Sequence, residues 1–174
     1  RRGPPRLASL VSGLSAEDAQ AVERQLGRPP RAAVGVAHRC PCGAPDVVLT
    51  APRLPDGTPF PTMYYLTCPR ATSAIGTLEG SGLMREMAQR LGADPDLAAR
   101  YRAAHEAYLT ARRELEHVDE IDAVSAGGMP DRVKCLHVLA AHALAAGPGV
   151  NPLGDEVVAM LGPWWEAGCC ADPT

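Results

Sequence analysis

Residues 38–69, HRCPCGAPDVVLTAPRLPDGTPFPTMYYLTCP, constrain the fold of this 174-residue chain more than any other stretch. They carry two compact runs of strand-forming residues, Asp46 to Thr50 and Thr62 to Thr67. Pro55-Asp56-Gly57 lies between the runs and marks a tight turn, because Gly takes positive φ at little cost. A third run, Ala33 to Ala37, precedes the stretch, so the simplest assembly is a three-stranded antiparallel meander. Pro59 and Pro61 cannot donate to a ladder and restrict pairing near the turn to an edge. Everything else with a clear period is helical. The expected fold class is therefore α+β, a small three-stranded antiparallel sheet packed against a majority of helices.

The helices follow from caps and apolar spacing. Ser15 is placed to cap a helix carrying Ala19, Val22 and Leu26, which Gly27 and two prolines end. After Thr67, Cys68 and Pro69 open a helical region that Gly80-Ser81-Gly82 divides in two. Asp94-Pro95 opens the longest helix, about 95–117, with a core stripe of Leu97, Tyr101, Ala104, Tyr108, Ala111 and Leu115. His105 and His117 are assigned to its solvent side. Residues 125–129 read as a loop, Pro130 as the start of a helix reaching Ala146, and Asp155 to Leu161 as a last short helix. Residues 1–14 are expected to be a flexible segment, 15–162 a single domain, and 163–174 a mobile tail holding the Cys169-Cys170 pair.

Six cysteines in one chain invite a site. In a meander, the first and third strands run the same way, so their C-terminal ends share one end of the sheet. Cys40 and Cys42 follow the first strand and Cys68 follows the third. The outer strands of such a sheet lie roughly 10 Å apart, at ~4.8 Å per neighbour, which a Cys-Pro-Cys-Gly loop can cover. Convergence of Cys40, Cys42 and Cys68 is expected, with Cys135 as the fourth ligand and His38 in reserve. Soft thiolates at this spacing suit zinc or an iron–sulfur cluster. Two other readings stay open: Cys68 and Cys135 as small buried hydrophobes, and a redox-active thiol pair. Helix phase through residue 135 sets His137 about 200° from Cys135 and so separates them; His142 shares the direction of Cys135 but lies about 10 Å along the axis.

A second candidate is the loop Gly127-Gly128-Met129-Pro130-Asp131-Arg132-Val133-Lys134. If it enters a helix, its free amides suit a phosphate or carboxylate. Gly127, Gly128, Arg132 and Lys134 are the expected anion-binding residues, and a phosphorylated small molecule the expected ligand. Asp131 as an ordinary helix cap is the alternative.

The net charge of −3 and 4% aromatic content give no support to nucleic-acid binding. No apolar run approaches the ~20 residues of a membrane span, and the N-terminal apolar run is too short for a signal-peptide core. The chain is read as cytoplasmic, where cysteines serve more often as ligands or reactive thiols than as disulfides.

The segments RCPCGAPDVV, RLPDGTPFPTMYYLTCP, GLMREM, AGGMPDRVKCLHVLAAHALA and GPGVNPLGDE, in this order, resemble the actinobacterial branch of a bacterial family described as domain of unknown function 501. The resemblance spans about residues 15–162 and brings no ligand residues and no reaction. It implies gene neighbours that include a septum-formation initiator and an exopolyphosphatase-type phosphohydrolase, hence a protein partner in division or phosphate metabolism. Three roles remain: a metal-binding protein with a structural or regulatory task, an enzyme acting on a phosphorylated molecule at the loop and cysteine cluster, and a metal-free interaction domain.

Overall fold

The computed structural model describes residues 7–172. The expected flexible segment falls partly outside that range. Within it, Leu7–Leu10 forms a short helix, α1, and Gly13 donates its amide to the Val34 carbonyl at 2.9 Å. Helix α2 (Ala16–Leu26) is capped by Ser15, whose hydroxyl accepts the Asp18 amide. Gly27 closes it in the left-handed conformation at φ 69°.

The sheet has the order β1-β2-β3, with β1 Ala33–Arg39, β2 Pro45–Thr50 and β3 Tyr64–Leu66. Both pairings are antiparallel, with Val36 opposite Val48 and Val47 opposite Leu66. Every residue of the central strand is buried, which is why DVVLT reads as a continuous apolar run rather than an alternating one. The turn forms where its chemistry demands it: Gly57 sits at φ 86°, its amide donates to Leu54, and Asp56 accepts the Thr58 amide. Asp46 lies in the strand, as the run Asp46 to Thr50 implies. It is buried in β2, where a carboxylate oxygen holds Nδ1 of His38 at 2.7 Å.

Helices α3 (Pro69–Gly80) and α4 (Leu83–Ala93) flank the Gly-Ser-Gly break, and α5 (Pro95–Leu115) follows the Asp94 cap. The stripe Leu97, Tyr101, Ala104 and Tyr108 is buried. Tyr108 links α5 to the sheet, since its phenol oxygen accepts the Met63 amide at 2.6 Å. His105 corrects the solvent-side assignment: it is buried and hydrogen-bonded to Ser125, because the segment after α5 folds back over it. Arg112 holds that segment. Its buried guanidinium donates to the carbonyls of Pro61, Ile121 and Val124, so backbone oxygens replace much of the water its charge gives up.

The helix expected from Pro130 begins later, at Leu136. Residues 127–134 form a tight loop, closed by the Lys134 amide on Gly127 O and the Arg132 amide on Gly128 O, both 2.8 Å. These bonds compete with helical ones and delay α6 to Leu136–Ala146. Helix α7 (Pro152–Leu161) is capped by Asn151 and packs tightly on α6.

His142 of α6 lies buried between these layers, its ring 5.0 Å from that of Tyr108 and bonded to Asn151. Burial pushes its pKa down to about 4 from the ordinary value near 6.5. The unfolded chain thus binds a proton near pH 6.5 that the folded chain refuses until about pH 4. Folding stability is expected to fall as pH drops through this window, by about 3 kcal/mol in all. Urea midpoints of wild type and His142→Asn across pH 4–7 check this, with the slope flatter in the variant.

Candidate metal centre

Two elements of the sheet and the C-terminal segment meet at one end of the molecule. The Cys-Pro-Cys-Gly loop after β1 folds back on itself: Cys40 N donates to Ala44 O and Gly43 N to Cys40 O, with Gly43 at φ 93°. This turns both sulfurs inward. The Cys42 amide faces the Cys40 sulfur and the Ala44 amide faces the Cys42 sulfur. Cys68 is the N-cap residue of α3, without a side-chain cap hydrogen bond, and its sulfur lies beside the amides of Arg70 and Ala71.

The fourth member is Cys170. The tail does not hang free, contrary to its composition. Arg24 of α2 donates to Ala171 O at 3.2 Å, and Gln25 donates to Pro45 O and to the Cys170 sulfur. The Arg70 guanidinium packs against Gly168, 2.9 Å from where a Cβ would stand. Cys170 is consequently 1% exposed. The thiols of Cys40, Cys42 and Cys170 lie within 4.8 Å of one another, Cys42 and Cys170 at 3.5 Å; Cys68 stands outside this group, beside Cys170. Cys169 approaches only Cys42, at 2.9 Å.

The protons in this cluster are shared unequally. A hydrogen bond from Cys170 brings the Cys68 thiol down to about 7 against burial, with the two amides assisting. Burial pushes Cys42 up, but Cys169 and the amides of Ala44 and Cys170 outweigh it and bring Cys42 to about 7. Cys170 is driven far upward by its bond to Cys68 and by burial. Burial, with the neighbouring Cys42, raises Cys40 to about 11. Four thiols in one buried place cannot all ionise unless a cation joins them.

Two sequence-derived ligands sit elsewhere. His38 turns to Asp46 on the sheet and lines a different cavity, of about 700 Å³, with Asp18 and Arg39. Cys135 precedes α6 with extended backbone, φ −152° and ψ 109°, and joins Glu79 and His137. The helix-phase argument that separated Cys135 from His137 fails because residue 135 is not helical. Beside this group, the Cys135 thiol is raised by burial but lowered more by His137 and the Val138 amide. Cys135, despite burial, holds the His137 imidazole up to about 9, with Glu79 and the Thr72 carbonyl adding to it.

Gly127 and Gly128 serve the loop itself. A Cβ on Gly128 would meet Arg132 O at 2.7 Å, and one on Gly127 would meet Val138 at 3.1 Å. Arg132 and Lys134 are exposed, and Asp131 pairs with Arg102. The helix-end amides on which the anion expectation rested are not at this loop.

No helix among the described residues is long and apolar enough to cross a membrane. No curated protein and no solved structure matches the chain. The family described as "Protein of unknown function (DUF501)" matches residues 36–159, from the first strand to the last long helix. That span holds the sheet but for the first three residues of β1, Cys40, Cys42 and Cys68, and the Cys135 group, and the chain belongs to the DUF501 family.

Proposed function

We propose that this protein binds one zinc ion through Cys40, Cys42, Cys68 and Cys170, in a closed site whose role is structural or regulatory. The convergence of Cys40, Cys42 and Cys170 from the two ends of the chain, with the buried Cys68 beside Cys170, carries the reading. Zinc–sulfur bonds of about 2.3 Å put tetrahedral sulfurs about 3.8 Å apart, a spacing compatible with the three sulfurs of Cys40, Cys42 and Cys170 grouped within 4.8 Å; Cys68 would close in on binding. An iron–sulfur cluster holds its cysteines farther apart, around several metals, and fits this grouping less well. Amides facing the Cys40 and Cys42 sulfurs, that of Cys170 at 3.4 Å from Cys42 among them, supply outer hydrogen bonds of the kind such sites use. Four protein ligands leave no position for a substrate, which favours a scaffold over a catalyst. The division or phosphohydrolase partner implied by the family resemblance is the kind of protein such a scaffold would present a surface to.

Elemental analysis with an absorption spectrum of anaerobically purified protein tests the reading. Colourless protein with zinc that survives dialysis and is reduced by one equivalent in Cys42→Ser supports it. A visible iron–sulfur band would replace zinc with a cluster, and metal-free protein with wild-type stability would end the proposal.

A further inference from the structure

Glu79 in the last turn of α3, Cys135 before α6 and His137 in its first turn form a second cluster, which shares no residue with the four thiols. One donor atom from each lies within 4.8 Å of the others. Their orientation is set by neighbours. His137 Nε2 lies 3.1 Å from the Thr72 carbonyl, an oxygen that only accepts, so this nitrogen carries a proton. Nδ1 then faces Oε1 of Glu79 at 3.1 Å, and the Leu136 amide fixes the same oxygen at 2.8 Å.

Nδ1 of His137, a carboxylate oxygen and a sulfur thus face one small space. In the metal-free protein a proton on Nδ1 bridges to Glu79 and to the Cys135 sulfur, and a bound cation would displace it. A tetrahedral cation uses all three donors. Zinc bonds of about 2.0–2.1 Å to nitrogen and oxygen put those atoms about 3.3 Å apart, close to the separation present. A ligating histidine whose other N–H donates to a carbonyl is the usual outer arrangement of such sites. Cys135 and His137 also line a cavity of about 280 Å³, walled by Thr62, Tyr64, Tyr65 and Leu66.

We propose that Glu79, Cys135 and His137 bind a zinc-type divalent cation whose fourth position opens to this cavity. Three mixed ligands with an exchangeable oxygen ligand, water or a small substrate oxygen, are the arrangement of catalytic zinc. The chemistry implied is activation of water or polarisation of a carbonyl or phosphoryl oxygen on a small molecule.

Cobalt(II) alone, added to the reduced and chelator-stripped full chain, is the probe. Two equivalents are expected in wild type and one in Cys135→Ser and in His137→Asn. Glu79→Gln keeps the shape and the Leu136 hydrogen bond, so it separates ligation from folding; affinity at this site should fall at least tenfold. Unchanged uptake in all three variants overturns the inference, as does a single wild-type equivalent lost in Cys42→Ser alone. A single equivalent that survives Cys42→Ser and vanishes in His137→Asn sustains it, while removing the tetrathiolate reading.

Discussion

Cys170→Ser is expected to release the zinc of the four-thiol site and lower the melting temperature on the order of 10 °C, whereas Cys169→Ser keeps both near wild type. The two residues are neighbours, so the contrast isolates the ligand. Cys170 contacts Cys40, Cys42 and Cys68 from a buried position, and Cys169 reaches only Cys42. A serine hydroxyl is a poor zinc ligand, and its loss leaves three thiols in a space built for four. Structural zinc is worth on the order of 10 kcal/mol in small fingers that lack any other core. Here the helices and sheet make a core of their own, so about 4 kcal/mol is expected. For a domain of this size each kcal/mol moves the midpoint by about 2–4 °C. Calorimetry of both variants, with zinc content measured on the same samples, is the check. Equal behaviour of the two serines would show that the tail cysteines are not distinguished as argued.

The second large effect is expected at Gly154, in the first turn of α7. An added Cβ would lie 2.1 Å from the Leu139 carbonyl oxygen and 2.9 Å from the Ala143 Cβ. The obstacle is helix backbone, which cannot swing aside as a side chain can. Helix propensity alone favours Ala over Gly by about 1 kcal/mol, so the two effects oppose each other. Packing should win, because α6 and α7 must separate by about an ångström along a fully buried seam. Gly154→Ala is expected to cost about 3 kcal/mol. Gly76, exposed in α3 with nothing within 4 Å of its Cβ position, is the internal control. Gly76→Ala should stabilise by up to about 1 kcal/mol, and urea denaturation of the pair gives opposite signs.

How far the sequence could be read depended on whether local chemistry decided the structure. The sheet was legible because DVVLT, the Pro-Asp-Gly turn and TMYYLT each have one good conformation, and these agree with one another. The α5 stripe was legible for the same reason. The opposite holds at residues 127–135. Gly-Gly-Met-Pro has the composition of a helix start, yet two loop hydrogen bonds close it into a turn. The six-residue delay of α6 turned Cys135 out of helical phase and toward His137. Glu79, 58 residues from His137, carried no local signal at all. Cys170 was hidden differently. Nothing in GCCADP has a period, and its position depends on Arg24, Gln25 and Arg70. A vicinal cysteine pair with no assigned partner, in a chain with a Cys-Pro-Cys-Gly loop, was the one available hint.

The separation of 128 residues between Cys42 and Cys170 also has a consequence in time. Ribosomes add about 5–20 residues per second, so roughly 6 to 25 s pass between the synthesis of these two ligands. For that interval the nascent chain presents Cys40, Cys42 and, soon after, Cys68 as an incomplete thiol set. If the site binds metal as proposed, such a set would take it up loosely, and the last sulfur would convert a provisional occupant into a locked one. Metal selection would then be made twice during biosynthesis, first by three thiols on an emerging sheet and again when the closing segment docks.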